Sequence, residues 1–271
     1  MTMNDTHQHG DARTQFARLA KPLVGEARRH GARAAHDAED VHKLRVALRR
    51  LRTLLWAWRP LLDRDSVERE RAFLRRVAVA AGEVRDWDIA VQQLDAEGIG
   101  LEVERLEALR REARGRLVAT LSAADLKRSL PDLLHQVQGE LNTTRGRKPA
   151  RPYARKRVRA AREALRKRIR RARKAGKSEY AAWHDVRKGA KKLRYLLEFF
   201  APMAAHGYKK RLKALKKIQK RFGNLNDSVT TGRLLNDHRD VFPDDATAQT
   251  ALKQLRKESR RRRRAASNAL G

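Results

Sequence analysis

The sequence contains a stretch of itself twice. "VHKLRVALRRLRTLL", starting at Val41, returns His for His, Arg for Arg and Leu for Leu as "WHDVRKGAKKLRYLL", starting at Trp183. Sliding the second half back by 142 positions superposes these stretches and also lays "ARTQFARLAKPL" on "ARKRVRAAREAL". An offset of 141 lays "LRRVAVAAGEVRDWD" on "LKKIQKRFGNLNDSV", so one deletion relates the two. Each copy carries an apolar face that must be buried against something. Two copies are too few for a solenoid, which needs at least three stacked units. The expected architecture is therefore two similar helical bundles facing each other across a pseudo-twofold axis, with the cleft between them as the natural binding site.

Apolar residues recur at helical spacing nearly throughout and strand-like alternation is scarce, so the chain reads as all-α. Helices are expected at about 12–34, 39–59, 65–84, 87–96, 101–121 and 125–138, then 153–175, 180–201, 207–222, 228–238 and 244–265, within a few residues at each end. Gly82 and Gly223 read as helix C-caps, with Asp86 and Asp227 capping the helices that follow. The Gly- and Pro-containing "NTTRGRKPARP" reads as a connector. The expected organisation is a disordered tail at 1–11, a first repeat at 12–141, a linker at 142–152, a second repeat at 153–265 and a C-terminal tail at 266–271.

In the repeated stretch, Leu44, Leu48, Leu51, Leu55 and Trp58 share one sector of a helical wheel and form its core face. His42, Arg45, Arg49 and Arg52 occupy the adjoining sector. The second copy repeats the apolar sector with Val186, Ala190, Leu193, Leu197 and Phe200, and the basic one with His184, Arg187, Lys191 and Arg194. Four like charges in one strip repel one another. Only Glu198, at one end of the second strip, offsets them locally, so an anionic partner is the natural expectation.

The rest of the chain strengthens that expectation. Lys and Arg number 65 against 32 Asp and Glu, a formal net charge of +33, beyond what solubility requires. The charge is lopsided: residues 1–141 hold 25 basic and 22 acidic side chains, residues 142–271 hold 40 and 10. Arg155, Arg159, Arg162 and Arg166 flank one apolar line in the second half, and Lys209, Lys213, Lys216, Lys217 and Lys220 flank another. The first half keeps Arg13, Arg75 and Arg76.

The pattern His-x-x-Arg-x-x-x-[Arg/Lys]-x-x-Arg, present as "HKLRVALRRLR" and "HDVRKGAKKLR" and followed about thirty residues on by "GEVRD" or "GNLND", resembles the conserved histidine α-helical domain, CHAD. The resemblance spans about Gln15 to Ser259. It implies an all-α domain of two pseudo-twofold-related, four-helix-bundle-like halves whose basic central cleft binds inorganic polyphosphate, lined by the eight residues of the two strips, with Arg75, Arg76, Lys216 and Lys217 as further contacts. Asn226 stands where the first copy has Arg85, and Gly189 lies inside the second motif helix; both depart from strict repetition. A thin polyanion suits the residues as well, since it can thread between helices and meet Arg forks bidentately. Adjacent cations should keep an empty-site histidine neutral, so polyphosphate is expected to bind more tightly as pH falls through the histidine range near about 6.5.

Other chemistries find less support. With no cysteine, thiolate metal sites and disulfides are excluded. There is no Walker loop, no His-Glu-x-x-His and no Glu-x-Glu-x-Lys, and His7 with His9 is a poor metal site. The reading is a non-catalytic binder with no cofactor or metal, cytoplasmic and associated with polyphosphate granules, with no membrane span. The alternatives are a nucleic-acid-binding protein using its outer charge non-specifically and a polyphosphate-processing enzyme. "LEVERLEALRREARGRL" reads as a salt-bridged exposed face, the Arg260 to Arg264 run as a solvated tail, and the four tryptophans as packing residues.

Overall fold

A computed structural model describes residues 10–144, 146–175, 179–203 and 207–269. The N-terminal segment with His7 and His9, and the last two residues of the C-terminal tail, lie outside the described residues. The described chain is all-α, with nine α-helices: α1 (Ala12–Gly31), α2 (Ala38–Trp58), α3 (Arg64–Glu97), α4 (Val103–Ala124), α5 (Leu126–Leu141), α6 (Ala150–Lys174), α7 (Tyr180–Phe199), α8 (Tyr208–Asp237) and α9 (Asp245–Asn268). The order repeats: α2 and α7, the 3-10 turns Arg59–Leu61 and Ala201–Met203, and α4 and α9 begin 142 residues apart. Three helices start on capping aspartates that the sequence reading did not single out. Asp11, Asp37 and Asp244 accept from the backbone N–H of Thr14, Glu39 and Thr247 at 2.8, 2.9 and 2.7 Å.

Two expected breaks are absent. Helices α3 and α8 run unbroken through Gly82 and Gly223, so neither glycine ends a helix and Asp86 and Asp227 lie mid-helix instead of at caps. A glycine inside a helix costs about 1 kcal/mol relative to alanine. The apolar stripe continues past it, through Leu74, Val77, Ala81, Val84, Trp87 and Leu94 in α3, and its burial outweighs that cost. The arginine run 260–264 lies within α9, inside the helix expected at 244–265, but it is not wholly solvated. There Arg262 donates to Ser228 Oγ at 2.6 Å and to the Asn224 carbonyl at 3.0 Å.

The chain forms two compact units, and each draws on both sequence halves. One comprises the described residues of Met1–Ala81, Arg116–Arg162 and Lys192–Tyr208; the other comprises those of Gly82–Gly115, Glu163–Lys191 and Lys209–Gly271. The core of the first unit is aromatic. Trp58 is fully buried, with its ring centroid 5.7 Å from Phe16, 5.7 Å from Tyr153 and 5.5 Å from Phe200. Its indole N–H donates to the Ala12 carbonyl at 2.9 Å, and the Tyr153 hydroxyl donates to the Ala57 carbonyl at 2.7 Å.

Trp58 and Phe200 are the same position of the duplicated stretch, and they touch. Around them each copy lays a cation over an aromatic ring of the other. Arg50 lies over the Phe199 ring at 5.5 Å, while Lys192, its counterpart in the second copy, lies over Trp56 at 4.2 Å.

In the second unit, Trp183 stacks on Phe222 at 6.0 Å, and Trp87 packs on His238 at 5.4 Å. The expected salt-bridged face of α4 is partly realised, by Arg110 with Glu107 at 2.6 Å, and Arg105 reaches Asp240 at 2.5 Å. Gly189 does not interrupt α7; it lets α6 approach. A Cβ there would lie 3.1 Å from Leu165 Cδ1 and 2.9 Å from Arg168 Nη1. Gly189→Val is therefore expected to lower the unfolding free energy by about 1–3 kcal/mol through overpacking, read from urea denaturation.

Candidate functional site

The wheel separation holds on α2. Leu44, Leu48, Leu51, Leu55 and Trp58 are all at most 2% exposed, which turns the neighbouring basic sector outward at a fixed angle. His42 is exposed, and Arg45, Arg49 and Arg52 are half-buried. Arg45 donates to the Ala81 carbonyl of α3 at 3.2 Å.

Arg52 is the centre of this face. Its guanidinium is held below the usual arginine range, first by burial and then by the positive charges of Arg71, Arg75 and Arg49. Four arginines of two helices thus crowd together, and on the cluster's α3 side Arg71 pairs with Glu68 at 2.8 Å. Arg52 Nε and Arg71 Nε are buried without a hydrogen-bond partner among the described residues. Desolvated, mutually repelling cations raise the free energy of the empty protein, and an anion bound among them would lower it.

Within the same unit, Arg155 and Arg159 are exposed and Arg162 is half-buried on α6. Arg76 is exposed beside Phe73, and Arg13 donates to Asn142 Oδ1 at 2.8 Å, away from the Arg52 cluster's partners. Arg194 pairs with Glu198 at 3.6 Å, the one local offset the sequence pointed to, and lies over the Tyr195 ring at 4.9 Å. Arg157 was missed by the sequence reading. It is 9% exposed, sits over the Trp56 ring at 4.4 Å and donates to the Trp56 carbonyl at 3.1 Å. Arg71 was missed too, although its position one turn before Arg75 places it on the same helix face.

The second unit holds Arg166, His184, Arg187, Lys191, Lys213, Lys216, Lys217 and Lys220. Here the two histidines prove unlike. Where His42 has Ala38 one turn before it, His184 has Tyr180, whose hydroxyl lies 3.4 Å from His184 Nδ1 and donates to Asn226 Oδ1 at 3.0 Å. The position that departs from the repeat is thus used for this hydrogen bond. Arg233 of α8 lies over the Tyr180 ring at 5.2 Å. The four lysines of α8 are exposed around a shallow depression lined by that helix alone. Arg166 is exposed as well.

His184 is pushed below the usual histidine range, chiefly by burial and then by Lys188 and Arg187, against its hydrogen bond to Asn226 and the charge of Asp185. The direction agrees with the expectation of a neutral imidazole, but burial outranks the neighbouring cations as its cause. The unfolded chain then takes up this proton at higher pH than the folded one, so stability is complete above the unfolded value of about 6.5 and falls as pH drops through it. The urea midpoint of the ligand-free protein is expected to be lower at about pH 5.5 than at about pH 7.5, and the difference to shrink in His184→Gln. A His184→Gln variant as pH-sensitive as wild type would refute the assignment.

Among the described residues no group of three or more His, Asp or Glu side chains could hold a metal ion, and no helix is long and apolar enough to cross a membrane. Fold and faces together define an all-helical protein with duplicated, half-buried cationic helix faces. A family model of the CHAD domain matches residues 18–236, and the chain belongs to that family. Among solved structures, it is similar to the crystal structure of the CHAD domain from the plant Ricinus communis, with a TM-score of 0.76 and 23% identity over 97% of this chain and 92% of that one. It is also similar to PptA from Streptomyces chartreusis, with a TM-score of 0.60 and 16% identity over 96% and 97% of the two chains. No curated protein sequence matches it.

Proposed function

We propose that this protein binds inorganic polyphosphate without transforming it, and that the cationic faces of α2 and α7 are the contacts. The observation that carries the reading is Arg52, half-buried among Arg49, Arg71 and Arg75. A cluster of this kind gains most from a ligand with closely spaced negative charges and little bulk, which a phosphate chain provides and a duplex does not. Membership of the CHAD family supports the same ligand. The biological use would be to localise to, or organise, polyphosphate in granules.

The exposed lysine row of α8 favours a second reading, non-specific contact with nucleic acid along an open surface. Titration with polyphosphate of defined length beside a duplex DNA control at matched salt separates the two. Polyphosphate is expected to displace DNA and to hold on at higher salt. DNA that polyphosphate fails to displace would reverse the assignment. Release of orthophosphate in the presence of Mg²⁺ or Mn²⁺, lost when the α2 arginines are replaced, would instead make the protein an enzyme.

A further inference from the structure

We infer that the groove between α8 and α9 is a separate binding site for a nucleoside polyphosphate, its phosphate tail held by arginines and its base laid on an apolar floor. The groove has a volume of about 500 Å³ and lies wholly within the second unit. Its floor is made by Val229 and Gly232 of α8 with Leu252 and Leu255 of α9. Four arginines line it as well: Arg233, Arg256, Arg260 and Arg263. Asp237 is the one acid in the lining, so the net charge there is strongly positive. None of the candidate residues read from the duplicated motif is among them.

The arrangement on α9 is graded. Leu252, Leu255, Arg256, Arg260 and Arg263 fall on one helix face, with the leucines at the N-terminal end and the arginines toward the C-terminal end, over about 16 Å at 1.5 Å per residue. A ligand matched to this face has an apolar planar end and an anionic end. Bare polyphosphate has no use for the leucines, and laying phosphate against them without hydrogen bonds would cost free energy. Arginine fits both parts of a nucleotide, because its fork grips phosphate oxygens bidentately and its plane stacks on a base. The lysine depression of α8 makes the contrast: it has point charges from one helix and no apolar wall from a second.

The packing keeps this groove in shape. Arg262, on the flank of the same helix, donates to Ser228 Oγ at 2.6 Å, and Arg221 donates to the Ala265 carbonyl at 3.0 Å, so α8 and α9 are clasped beside the groove. The inference stands apart from the polyphosphate reading, since the two use different surfaces.

The test is calorimetric titration of the full chain carrying Arg49→Met and Arg52→Met, which removes the proposed α2 contacts to polyphosphate, with ATP, ADP, AMP, adenosine and inorganic tripolyphosphate. Affinity is expected to rise from adenosine through AMP and ADP to ATP, and ATP to bind about 10-fold or more tightly than tripolyphosphate. Arg256→Gln with Arg260→Gln, both exposed positions, should weaken ATP by about 10-fold or more. Gly232→Leu supplies a second, independent block. A Cβ at Gly232 meets nothing within 4 Å, so the new side chain enters the groove while the helix gains propensity. Two outcomes overturn the inference: tripolyphosphate binding as tightly as ATP in that background, or ATP affinity untouched by both groove variants.

Discussion

Replacing Arg49 and Arg52 together by methionine is expected to weaken polyphosphate binding about 100-fold at low salt while leaving the unfolding midpoint unchanged or raised. The first part follows from the worth of hydrogen bonds to charged groups, about 1.5–3 kcal/mol each, two of which would go. The second follows from the environment of Arg52, half-buried, its Nε without a hydrogen-bond partner, and pressed by the like charges of Arg49, Arg71 and Arg75. Methionine keeps most of the apolar stem and its packing while removing the charge. Binding and stability should therefore move in opposite senses, which a site kept for structure would not do. Unchanged affinity, or a stability loss beyond about 1 kcal/mol, would show that these arginines hold the fold together instead.

The largest effect on stability is expected at Trp58. Trp58→Ala should lower the unfolding free energy by about 3–5 kcal/mol, read from denaturant titration, because it empties a fully buried site at the meeting point of Phe16, Tyr153 and Phe200. It also strips the Ala12 carbonyl of its indole donor. Phe200→Ala, at the equivalent position of the second copy, should cost a similar amount, and the double variant less than the sum, since the two rings share one contact. Strict additivity would mean that the rings do not support each other.

The motif helices were legible because their periodicity is strong. The leucine sector of α2 predicted the buried face, and the basic sector followed from it by geometry alone. Glycine misled the reading at Gly82 and Gly223 because a local stop signal is weak beside a stripe of buried side chains that extends through it. Arg71 and Arg157 escaped notice for different reasons. Arg71 belongs to a line whose next member had been recognised. Arg157 is buried by an indole from another helix, and a sequence pattern says nothing about which helix that will be. The two histidines looked equivalent in the motif and are not, because Tyr180 and Asn226 act on one of them from outside it.

By itself the sequence determined the helical class, the duplication and the face of each motif helix that is apolar. All of these depend on spacing along one chain, where side chains three or four apart share a face whatever surrounds them. Only the tertiary structure decided that each compact unit takes segments from both copies, that Trp58 meets its own counterpart Phe200, and that Arg52 is crowded by arginines of α3 while α8 and α9 enclose a groove. Burial, desolvation and the meeting of charges from different helices depend on distances through space, and no spacing along the chain specifies those.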